Sequence, residues 1–205
     1  NEGWRGTLLY ETYRPFLSEA DRSAGTGWNG ELLRADLRGY LPLPAVLGRG
    51  VLAARFTEVR SSQRTRPYQL GGASDPQLQF GTVLNSRDIA LRGYQGNEAA
   101  LQGRSARVAS LEWRQPLADL DRHAMVPPLG INRLSAALFI DAGRAWTPGA
   151  APLADAPAYH RGVGLELLAE LKLAYSIGLQ ARLGWARALD EPRGSIGYLQ
   201  VGRPF

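Results

Sequence analysis

Apolar and polar residues alternate with a period of two along several parts of the chain. The clearest case is YSIGLQARLGW (residues 175–185), where every second residue is apolar and the others are polar or glycine. The same alternation occurs in VGLELLAEL (163–171) and in RLSAALFIDAG (133–143). Because successive side chains of a β-strand point to opposite faces, these segments are predicted to be strands with one apolar and one polar face.

Five further segments repeat the alternation less regularly, at roughly 4–15, 28–41, 50–60, 105–115 and 195–205. Together they predict eight strands, most of them as long as the ~9–11 residues that cross a bilayer at a tilt. Helical periodicity is almost missing. The connections differ in length, and the longest is a predicted loop at about 61–100. We therefore predict a single all-β domain over residues 1–205, a transmembrane antiparallel β-barrel with short turns at one end.

Three features favour a barrel in lipid over a soluble β-sandwich, which is the alternative. Charged residues of both signs lie opposite the apolar face, as in a hydrated lumen, at Arg34, Asp36, Arg38, Arg55, Glu112, Arg114, Glu166 and Arg182. Aromatic residues lie near the predicted strand ends, as in an interfacial girdle, at Trp4, Trp28, Tyr40, Trp113, Trp146, Tyr159 and Trp185. The terminal Phe205 shares the apolar face of Val201 and Leu199, and an aromatic residue at this end resembles the C-terminal signal of outer-membrane barrels.

The composition excludes some kinds of functional site. The chain of 205 residues has no cysteine and two histidines, so a disulfide framework is impossible and a multi-histidine metal site is not expected. The net charge of +5 could indicate nucleic acid or an anionic lipid surface. Arginine is spread through the whole chain, however, and is not concentrated in one tail. We therefore predict no nucleic-acid partner. We also predict no metal and no cofactor.

No motif predicts an enzyme. GTGWNG (25–30) has the glycine spacing of a nucleotide fingerprint, but a predicted strand follows it where a helix is required, which indicates a hairpin loop. No G-x-S-x-G elbow occurs. His123 lies in DLDRHAMVPP, which is turn-like and predicted to be solvent-exposed. Glu166 and Glu170 share the polar face of one strand, where charged lumen lining is a better explanation than acid–base catalysis.

Several motifs in a fixed order resemble a known family. LRGY (91–94) lies in the long loop and is followed by ASLEWRQPL (109–117), ALFIDAGRAW (137–146), GVGLELL (162–168) and the terminal VGRPF (201–205). In this order they resemble the C-terminal barrel of the BamA/TamA outer-membrane assembly superfamily. That superfamily, also called the bacterial surface antigen family, includes the two-partner secretion transporters. The resemblance covers residues 61–205 well and the first sixty only in strand pattern.

The resemblance implies a site inside the barrel. In the family the long loop folds back into the lumen, and its motif arginine meets acidic residues on the wall. Arg92 matches that arginine, with Gly93 and Tyr94 completing the motif, and Asp141 is its implied partner. Further implied residues are the acidic candidates Glu112 and Glu166, the strand-motif residues Phe139 and Gly143, and the C-terminal insertion signal at Phe205.

The chain also departs from the family pattern. The family barrel has sixteen strands, whereas eight are predicted here, so the chain is either the C-terminal half of such a barrel or a compact member. A closed eight-stranded barrel is just wide enough for side chains, so a folded-in loop would hardly fit. Two copies could instead pair. No segment here reads as one of the periplasmic POTRA domains that usually precede the family barrel.

The expected function is insertion or export of proteins at the bacterial outer membrane. The expected partners are outer-membrane lipid and a client polypeptide. The alternatives are a membrane-anchor barrel for an upstream domain, and a passive pore or a barrel enzyme, none of which would translocate proteins.

Overall fold

The computed structural model describes residues 3–13, 30–44, 48–62, 67–72, 88–96, 98–125, 128–147, 158–174, 177–190 and 194–202. It is all-β in these residues, with eleven strands and a short 3-10 helix at Ala99–Leu101. No helix among them is long and apolar enough to span a membrane. The predicted terminal signal at Phe205 and the GTGW part of the glycine-rich motif lie outside the described residues.

Eight strands form one antiparallel sheet, which confirms the predicted number. In spatial order they are β1 (Gly3–Tyr13), β2 (Gly30–Pro42), β3 (Val51–Ser61), β7 (Ser105–Ala124), β8 (Leu129–Trp146), β9 (His160–Leu173), β10 (Ile177–Ala188) and β11 (Ser195–Gly202). Each strand pairs with its neighbours in register over most of its length. Sequential strands thus lie side by side, apart from the long insertion between β3 and β7.

The sheet is open in the described part of the chain. β1 pairs only with β2 and β11 only with β10, so these two strands do not pair with each other as a closed barrel would require. The predicted barrel is therefore not closed within this sheet. A closed eight-stranded barrel would hardly have room for the long loop. The open sheet does have room, and part of the loop packs on one of its faces.

The long insertion is not wholly structureless, contrary to the prediction. Its described part contains β4 (Tyr68–Leu70), β5 (Asp88–Ile89) and β6 (Gln102–Gly103), which form a small three-stranded sheet. β4 pairs in parallel with β5 and antiparallel with β6. These strands are two or three residues long, too short for an alternation that a sequence pattern could reveal. They pack on β7 and β8 and bury a core that includes Leu70, Ile89, Leu91, Tyr94 and Leu101.

β7 is longer than predicted. It extends to Ala124, so His123 lies in a strand and not in a turn, although its side chain is exposed as expected. The physical reason is that register shifts at Pro116/Ala118 and at Asp119/Arg122 interrupt the pairing with β8. Each such irregularity breaks the two-residue alternation, so the strand beyond it no longer shows the pattern.

The two faces of the eight-stranded sheet have opposite character. The inner face, which contacts the small sheet, carries the buried charged side chains Asp36, Glu112, Asp141 and Glu166. The outer face carries exposed apolar side chains, including Leu8, Leu37, Leu111, Leu138, Leu165, Leu183, Leu199 and Val201. The predicted alternation of the strands is therefore present, with the apolar face turned outward.

Candidate functional site

The inner face surrounds a cavity with about 820 Å³ of empty space, part of it open to solvent. Its lining comes from β2, β3 and β7 on one side and from β8, β10 and β11 on the other, so the sheet curves around it. Arg38, Arg55, Arg114 and Arg182 are among the lining residues. Tyr40 also lines this cavity, so it does not belong to the predicted outer girdle. The cavity wall is thus polar and rich in arginine.

Arg92 enters this interior from the long insertion and is only 6% exposed. Its Nε and Nη2 donate to the two carboxylate oxygens of Asp141, at 2.7 and 2.8 Å. Its Nη1 donates to Glu166 at 3.1 Å and lies 3.5 Å from a Glu112 oxygen. Its Nη2 also donates to Ser110 at 3.0 Å. Each of the three guanidinium nitrogens of Arg92 therefore has a hydrogen-bond partner, as its planar fork allows.

The charges around Arg92 balance. Glu112 accepts from Arg114 at 2.8 Å, and Glu166 accepts from Arg182 at 3.4 Å and from the Tyr198 hydroxyl at 2.5 Å. Three guanidinium groups thus face the three carboxylates of Glu112, Asp141 and Glu166, with a formal sum of zero. Burial alone would lower the pKa of Arg92, but Asp141, Glu166 and Glu112 raise it, so the side chain is charged. We call Arg92, Ser110, Glu112, Asp141 and Glu166 the arginine site.

The three residues of the Phe-x-Asp-x-Gly motif each serve the inserted segment in a different way. The Phe139 ring lies under the Arg92 guanidinium, 3.5 Å from ring centroid to the guanidinium carbon, as in a cation–π contact. Asp141 accepts the bidentate pair and also the backbone N–H of Arg92 at 3.2 Å. A Cβ at Gly143 would lie 3.2 Å from the Leu91 side chain, so the missing side chain makes room for Leu91.

Gly93 and Tyr94 hold the segment on the opposite side. Gly93 has a φ of +99°, which favours glycine, and a Cβ there would lie 3.0 Å from the backbone nitrogen of Ala188. The Tyr94 hydroxyl lies 3.0 Å from the Arg161 carbonyl and 3.1 Å from an Asp190 oxygen. The loop motif is therefore attached to the ends of β9 and β10 as well as to the arginine site.

A second ion network lies on β2 and β3. Asp36 accepts from Arg38 at 2.7 Å, from Arg55 at 2.6 Å and from the Thr57 hydroxyl at 2.9 Å. These side chains lie on the inner face that lines the cavity. The network orients two arginines along the wall.

The structure thus brings together Arg92, Asp141, Glu112, Glu166 and Phe139, which the sequence had placed in one site. Sequence reasoning missed Ser110, Tyr198 and Asp190, whose contacts depend on pairings between distant strands. It also missed Gly162, where a Cβ would collide with the carbonyl oxygen of Arg92. The sequence did contain an indication of Gly162. GVG places two glycines on one face of a strand, and glycines in a strand allow another backbone to approach closely.

The arrangement is suited to holding a loop inside the sheet. All three carboxylates accept hydrogen bonds from guanidinium groups or lie within ion-pair distance of them. No group of three or more metal-ligating side chains occurs among the described residues. Comparison with known proteins adds no assignment, since no family model matches the chain and no characterised protein matches it significantly.

Gly162 provides a direct test of how the loop is seated. Substitution of Gly162 by alanine places a methyl group against the Arg92 carbonyl, and we expect a loss of about 1–3 kcal/mol in the free energy of unfolding. Hydrogen exchange at residues 91–94 should accelerate, because the segment has to move away. Gly178→Ala is the matched control, since a Cβ there meets nothing within 4 Å. Equal exchange in both variants would contradict this seating.

Asp190 gives the Tyr94 attachment a pH dependence. Burial, the largest single effect, raises its pKa, but the hydrogen bonds from the Arg161 side chain and backbone and from Tyr94, together with the charge of Arg161, outweigh it and hold the pKa below its usual range. A carboxyl with a lowered folded-state pKa stabilises above its unfolded pKa and loses that contribution as the pH falls through the folded value. We therefore expect residues 91–94 to exchange faster below about pH 4.

Asp190→Asn is the variant for this test. It keeps the shape of the side chain but removes the charge, so its segment 91–94 should exchange faster than the parent at neutral pH and show little further change on acidification. The measurement is the protection factor of these amides, that is exchange corrected for its intrinsic pH dependence, between about pH 6 and pH 3, a window that includes the usual carboxyl pKa. An Asp190→Asn profile that runs parallel to the parent profile would show that another group causes the acid effect.

Proposed function

We propose that the chain is part of a bacterial outer-membrane β-barrel of the assembly and translocation type. In this proposal the outer face contacts lipid and the inner face lines a passage for a client polypeptide. The arginine site holds the long insertion in that passage. The proposal draws on the family resemblance of the motifs and on the distribution of side chains over the two faces.

The main support for a membrane location is that the sheet exposes its apolar face and buries charged side chains on the other. Leu183 is 57% exposed and Leu199 is 71% exposed, while Glu166 on the neighbouring strand is 1% exposed. An exposed apolar surface of this extent, over most strands of one face, is unusual for a soluble protein and is a mark of an interaction site. Strands β7 and β8 have 20 and 18 residues, more than the ~9–11 that cross a bilayer.

The inserted loop supports a gated passage over a passive pore. Leu91, Arg92 and Tyr94 are all buried against the inner face, so the segment occupies space that an open pore would leave to water. The segment is attached by ion pairs and hydrogen bonds as well as by apolar contacts. Such attachments can be exchanged for contacts with another polypeptide, which suits a passage that admits a client.

The open edges of the sheet define what completes the barrel. β1 and β11 each leave one side without a paired strand among the described residues. Unpaired edges accept further strands through their free N–H and C=O groups. In the proposal these strands come from a second copy or from further residues of a longer chain.

Cell fractionation tests the location. Expressed with a secretion signal in a Gram-negative host, the chain should sediment with the outer membrane and resist extraction by alkaline carbonate. It should also migrate faster in a gel when unheated, as folded barrels do. Recovery as a soluble periplasmic protein would contradict the proposal.

A reconstitution assay tests the function. Liposomes that contain the chain should accelerate the folding of an unfolded outer-membrane barrel protein over protein-free liposomes. Liposomes with an unrelated barrel of similar size are the control. Equal rates in the two barrel samples would contradict an assembly role, and an anchor role would then be favoured.

A further inference from the structure

The outer face carries a cluster of charged and aromatic side chains at the end where the long connections lie. Its members come from β3, β7 and β8 and from the residue before β9. We call it the outer arginine cluster, and it consists of Glu58, Arg60, Arg107, Arg144, Trp146 and Tyr159. In register, Arg107 pairs with Glu58 on one side and with Arg144 on the other.

The cluster has more positive than negative charge. Glu58 accepts from Arg60 at 2.6 Å and from Arg107 at 2.9 Å, so one carboxylate serves two guanidinium groups. Among the described residues Arg144 has no carboxylate partner, and its buried Nε has no hydrogen-bond acceptor there. Three arginines against one glutamate leave a formal excess of two positive charges.

Aromatic rings hold Arg144 in place without satisfying its donors. Its guanidinium carbon lies 5.2 Å from the centroid of the Trp146 ring and 4.7 Å from that of Tyr159. These rings fix the direction of the side chain, but its planar fork still has N–H groups to donate. A buried donor without a partner is costly, and an anion is the partner that a guanidinium favours.

The apolar band of the outer face begins directly beside the cluster. On the same face of β8, two and four residues before Arg144, lie Ala142 and the exposed Ile140, and Leu138 follows. A ligand that fits both regions has a phosphate group at one end and acyl chains at the other. Tryptophan and tyrosine at this border are also typical of the membrane interface.

We propose that the outer arginine cluster binds the phosphate headgroup of an anionic membrane lipid. Arg144 is its main donor, and Arg107, which also donates to Glu58 and to the Tyr159 hydroxyl, is the second. The proposal rests on the proposed membrane location, because it requires lipid beside the outer face. It adds a chemical preference, for lipid whose phosphate headgroup has a net negative charge over zwitterionic phospholipid, and places that preference at the end of the long connections.

The test uses the full chain in a non-ionic detergent and a calorimetric titration with dioleoyl phosphatidic acid. Dioleoyl phosphatidylcholine and inorganic phosphate are titrated separately. Phosphatidic acid should bind at least about tenfold more tightly than either, and Arg144→Gln should bind it about tenfold more weakly than the parent, as expected when a charge-assisted hydrogen bond is lost. Should Arg144→Gln fail to fold by circular dichroism, Arg107→Gln carries the same expectation.

Arg133→Gln is the matched control. It removes one exposed arginine that pairs with Asp119 near the opposite end of β8, so phosphatidic acid should bind it as it binds the parent. Equal weakening in Arg133→Gln and Arg144→Gln would show an effect of net charge only and would overturn the proposal. Equal binding of inorganic phosphate and phosphatidic acid would overturn it too, since the site would then recognise free phosphate.

The same samples separate this inference from the proposed function. Insertion into bilayers is followed independently by carbonate resistance of proteoliposomes. A chain that inserts but binds both lipids equally overturns the lipid site alone. A chain that does not insert, but binds phosphatidic acid through Arg144, supports the site and overturns the membrane location.

Discussion

Replacement of Arg92 by alanine is expected to lower the free energy of unfolding by about 3–5 kcal/mol, the usual effect of breaking a buried ion pair on one side. Asp141 would lose its bidentate donor, and of its side-chain partners in the described part of the chain the Ser110 hydroxyl, at 2.6 Å, would remain. Asp141→Ala should cost less than Arg92→Ala, because Arg92 would retain Glu166 at 3.1 Å and Glu112 at 3.5 Å.

The double variant separates a specific pair from a general loss of packing. Because Arg92 and Asp141 contact each other directly, Arg92→Ala combined with Asp141→Ala should cost less than the sum of the single variants. Urea unfolding followed by tryptophan fluorescence gives the three free energies. Additive losses would contradict the pairing, as would a single variant with parental stability.

The second large effect concerns the outer face. Leu183 lies between Leu167 and Leu199 in the sheet, in the middle of the exposed apolar band. In a bilayer, Leu183→Arg would place a charge in the hydrocarbon at a cost of about 2–4 kcal/mol near the midplane. In water the same substitution at a half-exposed position would fall within about ±0.5 kcal/mol. The loss of stability in Leu183→Arg therefore shows whether this face lies in lipid or in water.

Gln180→Arg is the control on the same strand. Gln180 faces inward, accepts from Arg182 at 3.0 Å and pairs in register with Glu170, so another cation on that wall has an acidic neighbour. Refolding into lipid vesicles, followed by gel mobility without heating, should be strongly impaired for Leu183→Arg and much less impaired for Gln180→Arg, which loses one hydrogen bond to Arg182 but stays on the polar wall. Equal impairment would argue against a lipid-facing outer surface.

For the regularly alternating strands, the sequence alone was enough to predict which residues share a face. Period-two alternation is a local property, so it placed Glu112, Asp141 and Glu166 on one face without knowledge of the strand pairing. The contact of Arg92 with Asp141 was different, because it joins residues 49 positions apart. It followed from the motif resemblance, and no local pattern could have indicated it.

What the sequence did not reveal depends on pairings over long distances or on broken periodicity. The small sheet around Tyr68–Leu70 has strands too short to alternate, and β7 loses its alternation at two register shifts. The attachment of Tyr94 to Asp190 spans 96 positions. Whether β1 and β11 close on each other is a matter of curvature summed over eight strands, which no single segment encodes.

A cysteine scan along β10 tests the central claim that the outer face lies in lipid. The chain has no cysteine of its own, so a single cysteine at each position from 178 to 183 can carry a fluorophore. A Cβ at Gly178 meets nothing within 4 Å. In vesicles of brominated lipid, which quenches on contact, positions 179, 181 and 183 should be strongly quenched and positions 178, 180 and 182 weakly. Equal quenching at all six positions, or none at any of them, would contradict a membrane-embedded sheet with its charged face inward.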